Sequence, residues 1–378
     1  MDALMLPSNW QRVRLGDIAE IIGGGTPSTQ ITSFWSGSIN WFTPTEIGIT
    51  KYVYKSQRTI TPLGLKKSSA KLLPIGTILL TSRASIGDCA ILKVVATTNQ
   101  GFQSLIPLEK INNEFLYYLI LTLKNKLLEL ASGSTFLEVS PNKIKNLLIP
   151  LPPLNEQIAI ANILSDLDHY LYNLDALILK KESVKKALSF ELLSQRKRLK
   201  GFNQNWQRVR LGDIANYLTS NLSAEQITQQ GKIKVYDVNN FIGYTNTTFI
   251  SDKPYISIVK DGSVGRVRIL PPKTNILSTM GALIPNHKTT TEFLFYLLSN
   301  FDFKNFTSGS IIPHIYFKDY KEKTIFLPPL NEQIAIANIL SALDHEIISL
   351  KNKKRQFENI KKALNHDLMS AKIRVLKK

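Results

Sequence analysis

Two segments of this chain occur twice, and that duplication constrains its fold more than any other feature. The eleven residues Asn9 to Ala19 return unchanged at Asn205 to Ala215, and the fifteen residues Leu151 to Ser165 return unchanged at Leu327 to Ser341. Between the copies the pattern is similar but the sequence differs. Such a chain presents one scaffold surface twice and two different variable surfaces. That arrangement suits two identical partners and an asymmetric, two-part ligand. The first pair of copies lies 196 residues apart and the second 176, so the second variable region is the shorter.

With 378 residues and 43% apolar content, each half is long enough to bury its own core. Lys and Arg number 47 against 29 Asp and Glu, a formal charge of +18. An excess of that size points to a polyanion, first of all nucleic acid, with a membrane surface second and a merely solvated basic surface as the plain alternative. Cys89 is the single cysteine, so neither a disulfide framework nor a zinc knuckle is expected, which fits a reducing cytoplasm. The opening MDALMLPSNWQ lacks the charged and apolar regions of a signal peptide, and no apolar run reaches the length of a membrane span.

Each half follows one plan. A short strand-like segment comes first, with Val13, Leu15 and Ile18 alternating with polar residues. Loops rich in Gly, Pro, Ser and Thr (Gly23 to Thr29) and β-like runs such as Gly76 to Thr81 and Ala90 to Val95 follow. The spacing of Phe115, Leu116, Leu119, Ile120, Leu123, Leu127 and Leu130 predicts a helix over Glu114–Leu130, and Glu292 to Leu298 repeats it. Pro152-Pro153 and Pro328-Pro329 then stop the preceding element, and Asn155 and Asn331 are the expected N-caps of two long helices.

In those helices apolar residues recur at alternating spacings of four and three: Ile160, Leu164, Leu167, Leu171, Leu174 and Ile178 in the first, Ile336, Leu340, Leu343, Ile347 and Leu350 in the second. A sustained 3.5-residue period is that of a coiled-coil seam. Some 40 residues at 1.5 Å each make a rod of roughly 60 Å. Ile178 and Lys181 in one rod correspond to Lys354 and Phe357 in the other. That exchange is open to two readings, a fit between unlike rods or drift at a permissive site.

Variable region, long helix, variable region, long helix: this order resembles the specificity (S) subunit of type I restriction–modification enzymes. The residues that carry the resemblance are Asn9 to Ile18, Gly23 to Ser28 followed by Ile39 to Pro44, Thr81 to Gly87 with Thr98 to Phe102, and the LPPLNEQ run at Leu151 and again at Leu327. Nearly the whole chain is covered, and the double occurrence in this order is specific. The resemblance implies a mixed α+β fold with a pseudo-two-fold internal repeat. Two globular α/β target-recognition domains, 1–150 and 201–326, would be separated by two long antiparallel coiled-coil helices, 151–200 and 327–378. It further implies a non-catalytic subunit without cofactors. Each recognition domain would read half of a bipartite site in double-stranded DNA, the helices would dock two methyltransferase (M) subunits, and restriction-translocase (R) subunits would join through the complex. The second half departs from the pattern: Asn216 to Asn221 replace the Gly-rich element, and Leu277-Ser278-Thr279 replace Asn99-Gln100-Gly101.

Candidate DNA contacts lie in the variable loops. Aligning Ser85-Ile86-Gly87 with Ser263-Val264-Gly265 sets Arg83 opposite Asp261 and Asp88 opposite Arg266. Arginine pairs bidentately with guanine and aspartate accepts from cytosine, so exchanged charges are what two readers of different sequences need. The alternative for each is a solvated turn residue. Lys66, Lys67 and Lys71 suit phosphate contacts, which position without specifying. Ser82, Ser85, Asn99, Gln100, Lys260 and Ser263 complete the loop set. Ser134 and Ser310 follow helices, where they either offer hydroxyls to phosphate or simply end the helix.

Catalytic readings find little support. Leu151-Pro-Pro-Leu154 is superficially similar to the Pro-Pro core of amino-methyltransferases, but Leu stands where the acceptor Asp or Asn and the stacking aromatic are needed. Gly23 to Ser28 misses the last glycine of a dinucleotide loop, and no phosphate-binding GxxxxGK[ST] occurs. His169 and His345 are equivalent helix residues without a second ligand at metal spacing. The rods serve better as assembly surfaces. Glu156, Gln157, Ile158 and Asn162, with Glu332, Gln333, Ile334 and Asn338, are the candidate partner-binding residues, because Ile158 and Ile334 lie outside the seam and suggest a second buried face. A stand-alone bipartite DNA-binding regulator and a scaffold with an incidental basic surface stay open beside the specificity subunit.

Overall fold

A computed structural model describes residues 6–133 and 137–375. The chain divides into two compact units, unit 1 comprising 1–174 and 353–378 and unit 2 comprising 175–352.

Unit 1 opens with β1 (Gln11–Arg14), β2 (Ala19–Gly23), β3 (Trp35–Phe42), β4 (Tyr52–Val53) and β5 (Arg58–Ile60). After α1 (Pro62–Lys66) come β6 (Ile78–Leu80), β7 (Cys89–Leu92), β8 (Ala96–Thr98) and β9 (Gln103–Pro107). Helices α2 (Asn113–Thr122), α3 (Lys124–Leu130) and α4 (Pro141–Lys145) precede β10 (Leu148–Leu151) and the 40-residue α5 (Leu154–Leu193). The strands form a five-stranded sheet β2-β9-β6-β7-β4, a three-stranded sheet β5-β3-β8 and the ribbon β1-β10. β6 and β7 are apolar and buried at every position, as strands covered on both faces must be. Asn112 caps α2 by accepting from Phe115 N, and the helix buries Phe115, Leu116, Tyr118, Leu119 and Ile120 against the sheet. The predicted helix Glu114–Leu130 is thus real but broken at Leu123 into α2 and α3.

Unit 2 repeats the plan with β11 (Gln207–Arg210), β12 (Ala215–Thr219), β13 (Ile233–Tyr236), β14 (Phe241–Thr245) and β15 (Tyr255–Val259). β16 (Val267–Leu270), β17 (Thr274–Ile276), β18 (Met280–Pro285), α6 (Thr291–Ser299), α7 (Phe317–Tyr320), β19 (Thr324–Leu327) and the 40-residue α8 (Leu330–Met369) follow. β12-β18-β15-β16 make the larger sheet, β14-β13-β17 the smaller and β11-β19 the ribbon. The identical Asn9 and Asn205 segments become identical ribbons: Gln11 faces Leu151 and Gln207 faces Leu327.

Each unit takes a stretch of both long helices. In unit 1, Glu156 of α5 meets Arg374, Asp168 meets Lys361 and Tyr170 meets Phe357. In unit 2, Lys181 meets Glu346, Lys185 meets Asp344 and Arg198 meets Glu332. Within each unit, positions rise along one helix as they fall along the other, so the helices run antiparallel. Ile160, Leu164 and Leu174 are buried in unit 1, and Ile178, Ile336, Leu340 and Ile347 in unit 2. The mid-rod exchange is a compensated one. The Tyr170 and Phe357 rings meet at 4.7 Å, tilted by 52°, in unit 1, whereas the matched positions in unit 2 hold the ion pair Lys181–Glu346 at 2.8 Å.

One expectation is corrected. Asn155 and Asn331 are not N-caps, because the helices already include Leu154 and Leu330. The prolines before them need no N–H partner, and the Pro153 and Pro329 carbonyls accept from Gln157 N and Gln333 N at 3.0 Å.

Candidate nucleic-acid interface

The variable loops of the two units hang on one hydrogen-bond frame. In unit 1 the β6–β7 loop is turned by Ala84 and Gly87, both at positive φ (53° and 90°). Thr81 Oγ1 donates to the Ser85 and Asp88 carbonyls. Ser82 N donates to Gly101 O at 2.8 Å and Val139 N to Ser82 O at 3.1 Å, joining three segments. In unit 2, Lys260 N donates to Thr279 O at 3.1 Å and Ile315 N to Lys260 O at 2.9 Å, the same two bonds made by different residues. Because main-chain atoms make the frame, the side chains on it are free to differ.

On that frame the charges are exchanged together with their partners. Arg83 pairs with Glu138 at 2.8 Å in unit 1, and Asp261 with His314 Nδ1 at 2.7 Å in unit 2. Both pairs sit on matching β-bridges, Arg83–Glu138 beside Ser132–Glu138 and Asp261–His314 beside Ser308–His314. Glu138 and His314 escaped the sequence reading, although each follows its own Ser-Gly loop by the same interval. Arg83 is therefore partly committed inside the protein, and its Nε is buried without an acceptor among the described residues. Arg266 is exposed and donates to Asn239 Oδ1 at 2.9 Å. Asp88 pairs with Lys124 at 2.6 Å.

The Gly-rich loop is a packing element. A Cβ on Gly24 would stand 2.0 Å from Asn99 O, and one on Gly25 would stand 2.2 Å from Ser69 Oγ. Gly25 N donates to Thr98 O at 2.9 Å and Gly25 O accepts from Trp41 Nε1 at 2.8 Å. Thr26 Oγ1 donates to Gln100 Oε1 at 2.5 Å. Only glycine permits so close a main-chain approach.

Of the expected DNA contacts, Lys66, Lys67, Lys71, Gln100, Ser263, Arg266 and Ser310 are exposed, and Arg83, Ser85, Asn99, Lys260 and Asp261 are half-buried. Among the described residues the side chains of the three lysines have no hydrogen-bonding partner. Ser82 is a correction: it is 1% exposed, and its hydroxyl goes to the Gly101 carbonyl at 3.2 Å, so it joins the loop pair instead of facing outward. Ser134 lies outside the described residues. Arg58, which the sequence reading missed, is exposed on β5 with its Cζ 3.8 Å from the centre of the Trp35 ring. Among the described residues no group of three or more His, Cys, Asp or Glu could hold a metal ion.

The helix starts divide into an inner and an outer face. Glu156 accepts from Trp10 Nε1 at 3.1 Å and from Arg374 Nε at 2.7 Å. Its duplicate Glu332 accepts from Trp206 Nε1 at 3.0 Å and Arg198 Nη2 at 2.6 Å. Gln157 bonds Asn112 N and the Lys110 and Pro152 carbonyls, and Gln333 does the same with Thr290 N, Lys288 and Pro328. All four side chains are buried, at most 2% exposed. The expectation that Glu156, Gln157, Glu332 and Gln333 meet a partner is corrected: they tie each helix start to its own domain. The duplicated tryptophan was the available signal. Ile158 and Ile334 stay 41% and 49% exposed, with Asn162 and Asn338 one turn on.

A second duplicated node lies deeper. Tyr118 and Lys361 both donate to Asp168 in unit 1, and Tyr296 and Lys185 to Asp344 in unit 2. Burial, reinforced by the hydrogen bond to the carboxylate, pushes the Tyr118 and Tyr296 phenols far above their ordinary range, so they act as permanent donors.

The family model described as "Type I restriction modification DNA specificity domain" matches residues 7–181 and 203–359. The type I restriction enzyme MjaIX specificity subunit of Methanocaldococcus jannaschii is 30% identical over 413 residues, covering 98% of this chain and 95% of that protein. The EcoR124I/EcoR124II specificity subunit of Escherichia coli is 37% identical over 161 residues, covering 41% of this chain and 40% of that protein. In fold, the chain matches the type I restriction–modification S subunit from M. genitalium at a TM-score of 0.61 with 21% identity, over 97% of this chain and 98% of that one. The HsdS subunit from Thermoanaerobacter tengcongensis matches at 0.56 with 18% identity, over 98% and 99%.

Proposed function

This chain belongs to the family of type I restriction–modification DNA specificity subunits, and from that premise we propose a division of labour among its surfaces. Unit 1 and unit 2 each read one half of a bipartite site in double-stranded DNA. The outer faces of the two helix starts each hold one methyltransferase subunit, and restriction-translocase subunits enter through that complex. The chain itself recognises and positions; the chemistry belongs to its partners, in the cytoplasm where the DNA lies.

The observation that carries this reading is the contrast between what is duplicated and what is exchanged. Ile158 and Asn162 recur as Ile334 and Asn338, an outward stripe presented twice, which suits two copies of one partner. On the common loop frame, by contrast, Arg83–Glu138 becomes Asp261–His314 and Asp88 becomes Arg266. Identical grips and unlike readers are what an enzyme needs to modify two different half-sites. The charge of +18 supplies the phosphate attraction that makes both halves bind. Reading both halves from one face of the duplex asks for a separation near a helical turn, roughly 34–36 Å.

Base-resolution mapping of methylated adenines in cells with and without this protein tests the proposal. An interrupted motif that appears only in its presence is the expected result. Methylation independent of the chain, or a continuous motif, refutes it. Salt-dependent binding to the motif without any co-purifying methyltransferase would instead select the stand-alone regulator.

A further inference from the structure

We propose that Arg58 is a base-reading residue of unit 1, its guanidinium edge poised for the O6 and N7 acceptors of a guanine in the major groove. The inference rests on the DNA-reading assignment above and adds to it a residue and a base.

Three observations converge on Arg58. The first is its platform. Arg58 stands opposite Trp41 in the β3–β5 register. Its Cζ lies 3.8 Å from the Trp35 ring centre and 5.4 Å from that of Trp41. The two indoles meet edge to face at 5.0 Å. Trp41 is 3% exposed and donates to Gly25 O at 2.8 Å, while Trp35 donates to Ser28 O at 3.0 Å. Both rings are thus anchored to the Gly-rich loop, which is itself seated on Thr98 O.

The second is the free edge. The Trp35 ring, its centre 3.8 Å from Arg58 Cζ, covers one side of the guanidinium and offers its N–H donors no acceptor. Among the described residues none of them meets a protein acceptor, and no carboxylate neutralises the charge. Arg83 and Arg266 differ in this respect, being engaged by Glu138 and Asn239. An arginine held planar by an aromatic loses little side-chain freedom when it forms a bidentate pair, and its fork matches guanine O6 and N7.

The third is its setting. Lys66 and Lys67 lie on and just after α1, which packs on β3 and β5, so phosphate-binding charges adjoin the stacked arginine. Gln100 reaches the same Gly-rich loop through Thr26. In unit 2 the register position opposite Val235 is held by Gly243, so this reader has no counterpart there. A guanine-reading arginine in one unit alone is what unlike half-sites require.

The test uses the chain in its complex with the methyltransferase subunits and maps methylated adenines across the genome for wild type, Arg58→Lys, Arg58→Ala and Trp35→Leu. Lysine keeps the charge and loses the fork, which separates base reading from phosphate contact. The expected result is that preference for one guanine, in one half-site only, falls roughly tenfold to a hundredfold in both Arg58 variants. Trp35→Leu relaxes the same base more weakly, as a positioning residue would. Thermal unfolding of Arg58→Lys should match wild type, since no protein hydrogen bond is lost. A wild-type motif without guanine in the affected half, an unchanged motif in both Arg58 variants, or an even loss across both halves each overturns the assignment. A wild-type complex that yields no bipartite motif removes the underlying reading as well, so the two failures are told apart.

Discussion

Replacing Glu332 by alanine tests whether the helix starts face inward. The carboxylate is fully buried and accepts from Trp206 Nε1 at 3.0 Å, Arg198 Nε at 3.2 Å and Arg198 Nη2 at 2.6 Å. Breaking a buried ion pair by deleting one member costs about 3–5 kcal/mol when the remaining charge stays dry. Arg198 is 30% exposed and regains water, so the lower part of that range applies. The Trp206 N–H does not regain water, and a buried donor without an acceptor costs about 1–3 kcal/mol. Together these put the loss at about 4–6 kcal/mol in unit 2, or roughly 8–24 °C in its unfolding midpoint. Calorimetry gives the midpoint, and hydrogen exchange of the β12-β18-β15-β16 sheet shows which unit has loosened. Glu156→Ala should cost unit 1 a similar amount through Trp10 and Arg374, because the copies make matching contacts. Removing Arg198 as well, in an Arg198→Met/Glu332→Leu double variant, should cost less than the sum of the two single losses. A Glu332→Ala protein within about 0.5 kcal/mol of wild type that no longer retains methyltransferase would refute this argument and return the residue to the partner interface.

Three further outcomes follow from the same contacts. Ile158→Glu and Ile334→Glu should leave stability within about 0.5 kcal/mol, yet each should remove one methyltransferase copy from the assembly in native mass spectrometry, and the pair should remove both. Gly24→Ala forces a Cβ to 2.0 Å from Asn99 O, so it should destabilise unit 1 by at least about 2 kcal/mol; unchanged hydrogen exchange at Asn99 to Phe102 would contradict it. Tyr117, Tyr118 and Tyr320 are raised above the ordinary tyrosine range chiefly by burial. Their contribution to stability is complete below about pH 10 and is lost as pH rises past the unfolded value of about 10. Titration followed by tyrosinate absorbance should therefore show these phenols ionising only together with alkaline unfolding.

Much of the architecture is written locally. The duplicated Asn9 and Leu151 segments predict two equal short strands and two equal helices, and both appear, with the strands paired to β10 and β19 in matching registers. Alternating spacings of four and three predict the seam, because a helix presents positions that far apart on one stripe whatever lies beyond it. The exchange of Arg83 for Asp261 is likewise visible once the two halves are aligned.

What the linear pattern withholds are contacts between residues far apart along the chain. Glu156 and Gln157, acidic and polar at a helix start, read as part of an outward face for a partner. Trp10, Arg374 and Asn112 reverse that reading by folding over them from distant parts of unit 1. Ser82 reads as a loop hydroxyl until the Gly101 carbonyl, on another loop, accepts its hydrogen bond. Arg58 carries no signal in the linear pattern; only the fold sets the Trp35 ring 3.8 Å from its Cζ. Periodicity reports which side chains share a surface of one element, since that follows from local geometry. Which surface is covered, and by what, depends on long-range packing, and here that packing separates the residues that hold the protein together from those left on its surface.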